Sequence, residues 1–487
     1  MAKILIIGGG VGGLSAGIYA RLNGHEAKVC EKHFVAGGNL TGWNRNGYHI
    51  DNCIHWLTGT NPSSHLYKMW EELGVLGDGI DILQGGSLYT CEKDGRRLCL
   101  PPSTKELKRS LLAESKGDNR EIGNLISAIE LIQATDNIAG EESNEGMSPK
   151  RLAKGIGPII RYFGLSTGQL AKRFNSPIIK SFITGILGED FSSLALIYVF
   201  ATYCGRNGAL PRGGSLKAAE RMAEKFKALG GSLRLKCEAK KVNLHNGVAK
   251  SVTFADGRVE EADYVILTTD PAMTFGSLVD LPMPTQMRRL YQSPGLKRFS
   301  SYHCAYSCDE SELPFKGDLV FDVPMEYEKD LGTKQLIVRE FSHEPTYSPE
   351  GKNILQTMTF CYEGPSRDFI RLREYDEKRY RDRKRHISNV LKGLIEEHEP
   401  SLKGKLKLID CWTPATYNKF VNSEMGSFMS FAIPEKYLPS TASGRIPGCK
   451  NMLMATQWQS PPGGLPTAAR CGRDAIRRIV RLERSQA

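Results

Sequence analysis

The chain has 487 residues, of which 40% are hydrophobic and 24% charged, and its formal net charge is +11. This is the composition of a folded protein with two or more structural units. The longest apolar stretch, Phe191–Cys204, is too short to cross a bilayer, and the twelve cysteines lack the C-x-x-C spacing of a zinc site or a disulfide framework.

The charge balance bears on partners and compartment. A basic protein attracts nucleic acid or an anionic membrane surface. No nucleic-acid-binding motif is present, so we expect no nucleic-acid partner and favour the membrane, with plain solubility charge as the alternative. The cysteines read as reduced thiols, and a strand begins at Lys3 with no signal peptide before it. We therefore expect a cytoplasmic protein, with peripheral contact to the inner membrane face as a further expectation.

The first 31 residues are the most informative stretch. The apolar pattern predicts a buried strand over Lys3–Ile7, a helix over Leu14–Leu22 and a second strand over Ala27–Cys30. Between the first strand and the helix, glycines stand in G-x-G-x-x-G spacing, and an acid ends the second strand. The residues concerned are Gly8, Gly10, Gly12, Gly13 and Glu31. This combination indicates a dinucleotide-binding unit, against the alternative of a glycine-rich turn in an ordinary β-α unit.

Each part of this unit has a physical role. Gly8 permits a tight turn, Gly10 lets a pyrophosphate approach the backbone, and Gly13 lets the helix pack on the sheet. The helix N-terminus offers unpaired N–H groups to the phosphates. Glu31 can accept hydrogen bonds from both hydroxyls of an adenosine ribose, and the adjacent Lys32 joins it as a cofactor-binding candidate.

A second signature follows, E-x(5)-G-G-x-x-T, formed by Glu31, Gly37, Gly38 and Thr41. After a dinucleotide fold, it resembles the flavoproteins of the amine oxidase and phytoene desaturase type, which include carotenoid isomerases and retinol saturases. The resemblance implies FAD as the cofactor. Asn39 stands where that family usually carries an Arg, so we expect the backbone turn to be kept without a charged contact to the pyrophosphate.

Residues 148–188 are basic and apolar and contain no Asp or Glu. The basic residues are Lys150, Arg151, Lys154, Arg161, Lys172, Arg173 and Lys180. Pro158 and Pro177 divide the segment into short helices. Such a pattern suits the headgroup boundary of a membrane, and it equally suits a helical layer that covers a cavity with its lysines in water.

The next block, residues 205–275, returns to strand and turn patterns. A turn at Pro211–Gly214 precedes a helix that Ser215 can cap, and short strands follow up to Tyr264–Leu267. This block resembles the return of the chain into the flavin domain of the same family. The resemblance places Val242 where relatives contact the adenosine half through backbone atoms.

The C-terminal region predicts a buried strand over Met452–Thr456, a Pro-Gly turn and a helix from about Pro466. Family members carry a very similar P-x-G-G-x-P turn, which implies that Gly463, Gly464 and Leu465 meet the pyrimidine end of the flavin. A helix N-terminus there stabilises the negative charge of the reduced ring. Gln457 takes the place of the usual acid, as a neutral contact to the flavin side chain. A further family-like stretch carries Thr413, Pro414, Thr416, Tyr417 and Gly426.

We therefore predict an α/β fold: a Rossmann-like FAD-binding domain of the glutathione reductase type with a discontinuous α+β substrate domain. The FAD-binding domain would take residues 1–75, 205–275 and 441–487. The substrate domain would take 76–204 and 276–440, with 148–188 as its membrane-facing part. No second dinucleotide fingerprint appears, which argues against a separate NADPH domain.

The expected function is an FAD-dependent oxidoreductase that desaturates or saturates a C–C unit of a long apolar, isoprenoid or polyene-like small molecule. The alternatives are an amine or porphyrinogen oxidase on the same fold, and a flavin-free prenyl carrier. His55 is the candidate for proton transfer, with a structural histidine as the alternative. Cys53 reads as a packed residue, and we expect no metal.

Overall fold

The computed structural model describes residues 1–138, 157, 160–437 and 440–486. The strands run in chain order as follows: β1 Lys3–Ile7, β2 Glu26–Cys30, β3 Gly42–Arg45, β4 Tyr48–Asp51, β5 Leu57–Thr58, β6 Ile82–Leu83, β7 Tyr89–Lys93, β8 Arg96–Cys99, β9 Gly208–Pro211, β10 Ser232–Arg234, β11 Ala239–His245, β12 Val248–Phe254, β13 Val259–Glu261, β14 Tyr264–Leu267, β15 Lys297–Asp309, β16 Asp318–Asp322, β17 Gln335–Glu340, β18 Lys352–Tyr362, β19 Lys407–Trp412, β20 Phe431–Ala432 and β21 Met452–Met454.

The α-helices are the following: α1 Val11–Leu22, α2 His65–Glu72, α3 Thr104–Glu114, α4 Asn119–Ile138, α5 Thr167–Ala171, α6 Pro177–Gly185, α7 Ser193–Cys204, α8 Gly214–Ala228, α9 Pro271–Met273, α10 Thr285–Gln292, α11 Met325–Leu331, α12 Glu363–Tyr375, α13 Glu377–His398, α14 Pro414–Val421 and α15 Leu465–Gln486. The mixed α/β fold class predicted from the sequence is confirmed.

One sheet is parallel throughout, with the strand order β10-β2-β1-β14-β21. Its central strand β1 is buried from Ile4 to Ile7 because both faces of the sheet are covered. Helices α1, α8 and α15 pack on one face, and the antiparallel sheet β11-β12-β13 packs on the other. The carboxyl ends of β1 and β2 therefore meet at one edge, where ligands bind in open parallel sheets.

A second, larger sheet has the order β19-β15-β18-β17-β16-β7-β8, and β20 pairs with β15 outside this path. The pairs are antiparallel apart from β16 with β7. Helices α3 to α7 contribute to the core on one side, and α12 and α13 to the core on the other. On α13 an apolar stripe is buried at Ile387, Leu391, Leu394 and Ile395.

The strands of the parallel sheet lie within residues 1–75, 205–275 and 441–487, and those of the larger sheet within 76–204 and 276–440. The division of the chain into two domains at these boundaries stays a prediction.

Helix α8 begins differently from the expectation. Its N-cap is Gly213, so Ser215 lies inside the first turn. The Ser215 hydroxyl donates to Asp51 Oδ1 at 2.6 Å, and its backbone N–H donates to Asp51 Oδ2 at 2.6 Å. Tyr347 Oη also donates to Asp51, and Gly213 N–H donates to Glu344 Oε2 at 2.8 Å. Two buried carboxylates thus satisfy the helix N-terminus and complement its dipole.

The segment 148–188 lies partly outside the described residues, including Lys150, Arg151, Lys154 and Pro158. Where it is described, Arg161 and Arg173 both form ion pairs with Glu121, at 2.9 and 3.3 Å. Most of its large apolar side chains are buried in the core beside β7 and β16: Tyr162, Phe174, Ile178, Ile179, Phe182, Ile183 and Ile186. Membrane contact through this segment stays a prediction. Across the described part of the chain, every helix is too short or too polar to cross a bilayer.

Candidate functional site

The turn after β1 contains three glycines that packing within the protein requires and one, Gly10, that it does not. A Cβ on Gly8 would lie 2.5 Å from Thr268 Oγ1, one on Gly12 2.5 Å from the Ala455 carbonyl oxygen, and one on Gly13 1.9 Å from the Gly8 carbonyl oxygen. Packing within the protein therefore requires glycine at these three positions. A Cβ on Gly10 would instead have its closest neighbours at 3.8 and 3.9 Å. Packing within the protein therefore does not require glycine at position 10, and its presence there suits backbone contact with a ligand.

The acid at the end of β2 is held in place by the same turn. Glu31 is 8% exposed, and its Oε2 accepts a hydrogen bond from Gly9 N–H at 2.7 Å. Its Oε1 accepts from His33 N–H at 2.8 Å. Each carboxylate oxygen has a second lone pair, which can accept from a ribose hydroxyl. Beside it, the half-buried Lys32 donates to the Lys419 carbonyl at 3.1 Å, and burial lowers the pKa of Lys32.

The Gly37–Gly38 turn crosses directly over the first glycine turn. Gly37 N–H donates to the Gly9 carbonyl at 2.8 Å, and a Cβ on Gly38 would lie 3.2 Å from Gly10 Cα. Gly37 has a φ of +125° and no room for a side chain, because its Cβ would lie 2.2 Å from the Leu40 carbonyl oxygen. The two turns named in the sequence analysis therefore form one continuous backbone surface.

Asn39 connects this surface to a distant part of the chain. Its Nδ2 donates to the Phe428 carbonyl at 3.0 Å, and its own carbonyl accepts from Asn52 Nδ2. The Thr41 carbonyl accepts from Asn52 N–H at 3.1 Å. The Asn39 side chain thus ties the glycine turn to the segment at residue 428. An Arg, with its larger guanidinium and five N–H donors, would not reproduce this geometry.

The third glycine turn completes the arrangement. Gln457 Oε1 accepts from Gly464 N–H at 2.9 Å. Gly463 and Gly464 have φ values of +84° and +86°, and a Cβ on Gly463 would lie 2.6 Å from Ser430 Oγ. Leu465 then starts α15 and packs on the core of the parallel sheet. A helix N-terminus, with its unpaired N–H groups, follows directly after this turn.

Three buried polar atoms around these turns have no hydrogen-bond partner within the described residues: Asn39 Oδ1, Ser427 Oγ and Ser430 Oγ. Ser427 and Ser430 are 1% and 0% exposed. Buried polar groups are normally hydrogen-bonded, so these three atoms are candidates to bind polar atoms of a ligand. Together with the glycine at position 10, which packing does not require, and the acid at Glu31, they fit FAD.

Val242 lies apart from these turns. It is 1% exposed in β11, faces Val252 of β12, and belongs to the cluster that includes Ile7 and Cys30. Its side chain supports the strand that leads to Glu31. A backbone contact between Val242 and the cofactor stays a prediction.

His55 lies in a buried polar cluster against the larger sheet. Its Nε2–H donates to Asp318 on β16, and Asp318 also forms an ion pair with Arg339 at 3.7 Å. Burial lowers the pKa of His55, which therefore favours its neutral form. Burial would raise the pKa of Asp318, but the hydrogen bond from His55 and the charge of Arg339 lower it. His55 is therefore neutral, and Nδ1 is its basic nitrogen.

The thiol of the neighbouring Cys53 is unreactive. Burial, together with the charge of Asp51, raises the pKa of this thiol to about 12. The thiolate is the nucleophilic form of cysteine, and the Cys53 thiol stays protonated at neutral pH. Cys53 is therefore a packed side chain and not a nucleophile.

A group of aromatic side chains lies beside the third glycine turn, and we call it the phenylalanine cluster: Phe191, Phe299, Phe360 and Phe428. Phe299 stands at its centre, with ring centroids 5.6 Å from Phe360 and 6.2 Å from Phe428. Met429 belongs to the same cluster of side chains, and its Cε lies 3.5 Å from where a Cβ on Gly464 would be. An apolar wall therefore adjoins the start of α15.

Sequence reasoning missed the phenylalanine cluster and the two serines. Phe428 and Ser427 stand in the family-like stretch that ends beyond Gly426, which was the available signal. Phe299 and Phe360 come from paired strands, β15 and β18, and only the sheet register brings them together.

Comparisons with known proteins agree with this geometry. A family model described as flavin containing amine oxidoreductase matches residues 11–480. Prolycopene isomerase of Daucus carota is 23% identical over 460 residues, covering 87% of this chain and 71% of that protein. The 4,4'-diapophytoene desaturase of Methylomonas sp is 23% identical over 347 residues, covering 66% of this chain and 62% of that protein.

Solved structures share the fold. An oxidoreductase from Methanosarcina mazei has a TM-score of 0.61 and 17% identity, covering 98% of this chain and 100% of the other. A mutant of putrescine oxidase has a TM-score of 0.58 and 16% identity, covering 99% of both chains. At these identities the likeness concerns the fold alone.

Proposed function

This chain belongs to the flavin containing amine oxidoreductase family, and from that premise we propose that it acts on a C–C or C=C unit of a long apolar, isoprenoid or polyene-like molecule. It is an oxidoreductase with FAD as its cofactor. Among its relatives, the proteins from Daucus carota and Methylomonas sp are named as a prolycopene isomerase and a diapophytoene desaturase. Their names motivate the choice of a polyene.

The observation that carries the proposal is the phenylalanine cluster beside the turn of Gly463 and Gly464. A long hydrocarbon gains free energy by leaving water, at about 25 cal/mol per Å² of apolar surface buried. The partly exposed Phe360, Phe428 and Met429 supply such a surface where the flavin ring is expected, and the buried Phe191 and Phe299 support them from behind. An amine substrate would instead call for a polar or charged frame at the same place.

The proposed cofactor contacts use the residues of the three glycine turns. Gly10 and Gly38 would face the pyrophosphate with bare backbone, and Glu31 would accept from the ribose hydroxyls. Support comes from the glycine at position 10, which packing does not require, and from the two N–H donors that fix the Glu31 carboxylate. The N-terminus of α15 would stabilise negative charge at the pyrimidine end.

Bound FAD would supply hydride exchange with the substrate's C–C unit. The protein's part is to orient the polyene, exclude water and handle the accompanying proton. His55 is the group we assign to the proton, at Nδ1, because its Nε2–H is already donated to Asp318. Asp318 keeps the imidazole in one tautomer and orientation, and Arg339 keeps Asp318 charged.

The test begins with the colour of the purified protein, since a flavin spectrum excludes the flavin-free carrier. The protein is then mixed anaerobically with a polyene in detergent micelles, and separately with putrescine. We expect the polyene alone to be converted. Product mass distinguishes the outcomes: two hydrogens lost in desaturation, two gained in saturation, and no change in isomerisation. Bleaching of the flavin by putrescine without polyene conversion would contradict the proposal and favour an amine oxidase.

We also propose that the protein works in the cytoplasm and contacts the inner face of a membrane, because long hydrocarbons partition into bilayers. Peripheral attachment is the form of contact that we propose.

A further inference from the structure

The C-terminal helix α15 is strongly amphipathic. Its buried face contains small and aliphatic residues: Ala469, Cys471, Gly472, Ala475, Ile476 and Ile479. Its opposite face carries arginines at helical spacing: Arg470, Arg473, Arg477, Arg478, Arg481 and Arg484. At 3.6 residues per turn, all six fall within an arc of about 140°, and at 1.5 Å per residue they extend over about 21 Å. We call this surface the arginine face.

The charge of the arginine face is poorly compensated. Arg473 and Arg477 share one acid, Asp474, at 3.7 and 4.0 Å. Within the described residues, no ion pair involves Arg470, Arg478, Arg481 or Arg484. The contrast is helix α13, whose run of arginines is paired. There, Arg381 binds Glu377 at 2.6 Å and Arg385 lies 3.7 Å from Asp382.

The arginine face continues into an open groove of about 1190 Å³ between α15 and the segment 445–453. Arg445, Lys450 and Arg478 stand on its walls, together with Asp263 and Glu483. Glu483 already accepts from Tyr264 Oη, and Asp263 from Lys3 N–H. Burial lowers the pKa of Arg478, and the charges of Arg445 and Arg481 lower it further. Cations that repel one another at an open surface favour an external anion.

We propose that the arginine face docks on an anionic phospholipid surface. Arg binds phosphate groups with paired N–H donors, and a straight helix side presents several such groups to a flat layer of headgroups. The exposed residues of α15, as far as its side chains are described, are Arg470, Asp474, Arg477, Arg481, Arg484 and Ser485. Protein interfaces rely on central aromatic or apolar anchors, which this set lacks. This proposal rests on the proposed function in one respect only: the supply of a hydrocarbon substrate is the reason for the membrane contact.

The experiment compares co-sedimentation of the full-length holoprotein with two kinds of vesicle, phosphatidylcholine alone and an equal mixture of phosphatidylcholine and phosphatidylglycerol. The test variant carries R470Q, R477Q and R481Q. A matched control with the same change in net charge carries R379Q, R381Q and R385Q on α13. We expect the wild type and the control to bind the anionic vesicles at low salt and to be released at high salt, because exposed charges are screened.

The test variant should bind the anionic vesicles at least tenfold more weakly than the control while keeping its flavin content. Equal binding of the two variants, or equal binding of the wild type to neutral vesicles, would overturn the proposal and favour another surface such as residues 148–188. Tighter binding of the wild type to a DNA duplex than to the anionic vesicles would overturn it in favour of nucleic acid. Polyene turnover in detergent micelles is measured separately, so the vesicle-binding result can be interpreted even if the proposed function fails.

Discussion

Gly10 offers the sharpest test of the cofactor site, because the protein itself does not require glycine there. Its φ of −73° and ψ of −177° suit any residue, and the nearest atoms to an added Cβ are at 3.8 and 3.9 Å. Substitution should therefore change the free energy of unfolding of the apoprotein by no more than about 1 kcal/mol. A loss of FAD binding that leaves the stability of the apoprotein unchanged must therefore come from contact with the ligand.

The comparison of Gly10→Glu with Gly10→Gln isolates charge from bulk. At about 5 Å and an effective dielectric constant near 20, a carboxylate and one phosphate charge repel by about 3 kcal/mol. FAD affinity should therefore be at least about 100-fold lower in the Glu variant than in the Gln variant, since 1.4 kcal/mol is tenfold. The assay is flavin content at a fixed protein concentration, followed by titration of the apoprotein with FAD.

Gly13→Ala serves as the contrasting substitution. Its Cβ would lie 1.9 Å from the Gly8 carbonyl oxygen, so we expect this variant to lose folding stability with or without FAD. A Gly10→Glu protein that purifies with a full complement of flavin would refute the assignment of the N-terminal turn.

Three further predictions concern single side chains. Gln457→Ala removes one neutral hydrogen bond to the glycine turn and should weaken FAD retention by about 0.5–1.5 kcal/mol, measured as flavin released on dilution; complete loss would contradict a neutral contact. His55→Gln should lower polyene turnover by about 10²–10⁴-fold with flavin content unchanged, and turnover equal to wild type would return His55 to a structural role. Burial lowers the pKa of His303 to about 3 in the folded protein, whereas the pKa of an unfolded histidine is near 6.5. Between these two values only the unfolded chain takes up a proton, so the free energy of unfolding falls as the pH is lowered. Urea unfolding at pH 6.5 and pH 5 should show about 1.5 kcal/mol lost from this group, and His303→Gln should remove that loss.

The sequence predicts the first β-α-β unit well because its determinants are local. The strand Lys3–Ile7 has the predicted bounds, and α1 begins at Val11, three residues before the expected start. Glycine spacing and an acid at a strand end depend only on neighbouring residues. The C-terminal turn was equally readable, since Pro and Gly restrict the backbone directly.

The rest of the site depends on pairings between distant segments. Asn39 donates to carbonyl groups near residue 428, and a backbone acceptor has no sequence signature. Gln457 Oε1 accepts from Gly464 within the turn, and its contact to the flavin side chain stays a prediction. Ser215 was expected to cap α8, but the buried Asp51 from another segment takes the helix N-terminus. For Asn39 and Ser215, a partner from a distant segment decided the role.

The parallel sheet has a consequence for how the protein is made. Its first strand is β1 at residues 3–7, and its edge strand is β21 at residues 452–454. At a synthesis rate of about 5–20 residues per second, roughly 20–90 seconds separate the emergence of these two strands from the ribosome. During that interval β14 has no neighbour on one side, and the glycine turn that follows β21 does not yet exist. The nascent chain must therefore be protected from aggregation until β21 and the glycine turn after it appear, and only then can the FAD site be complete.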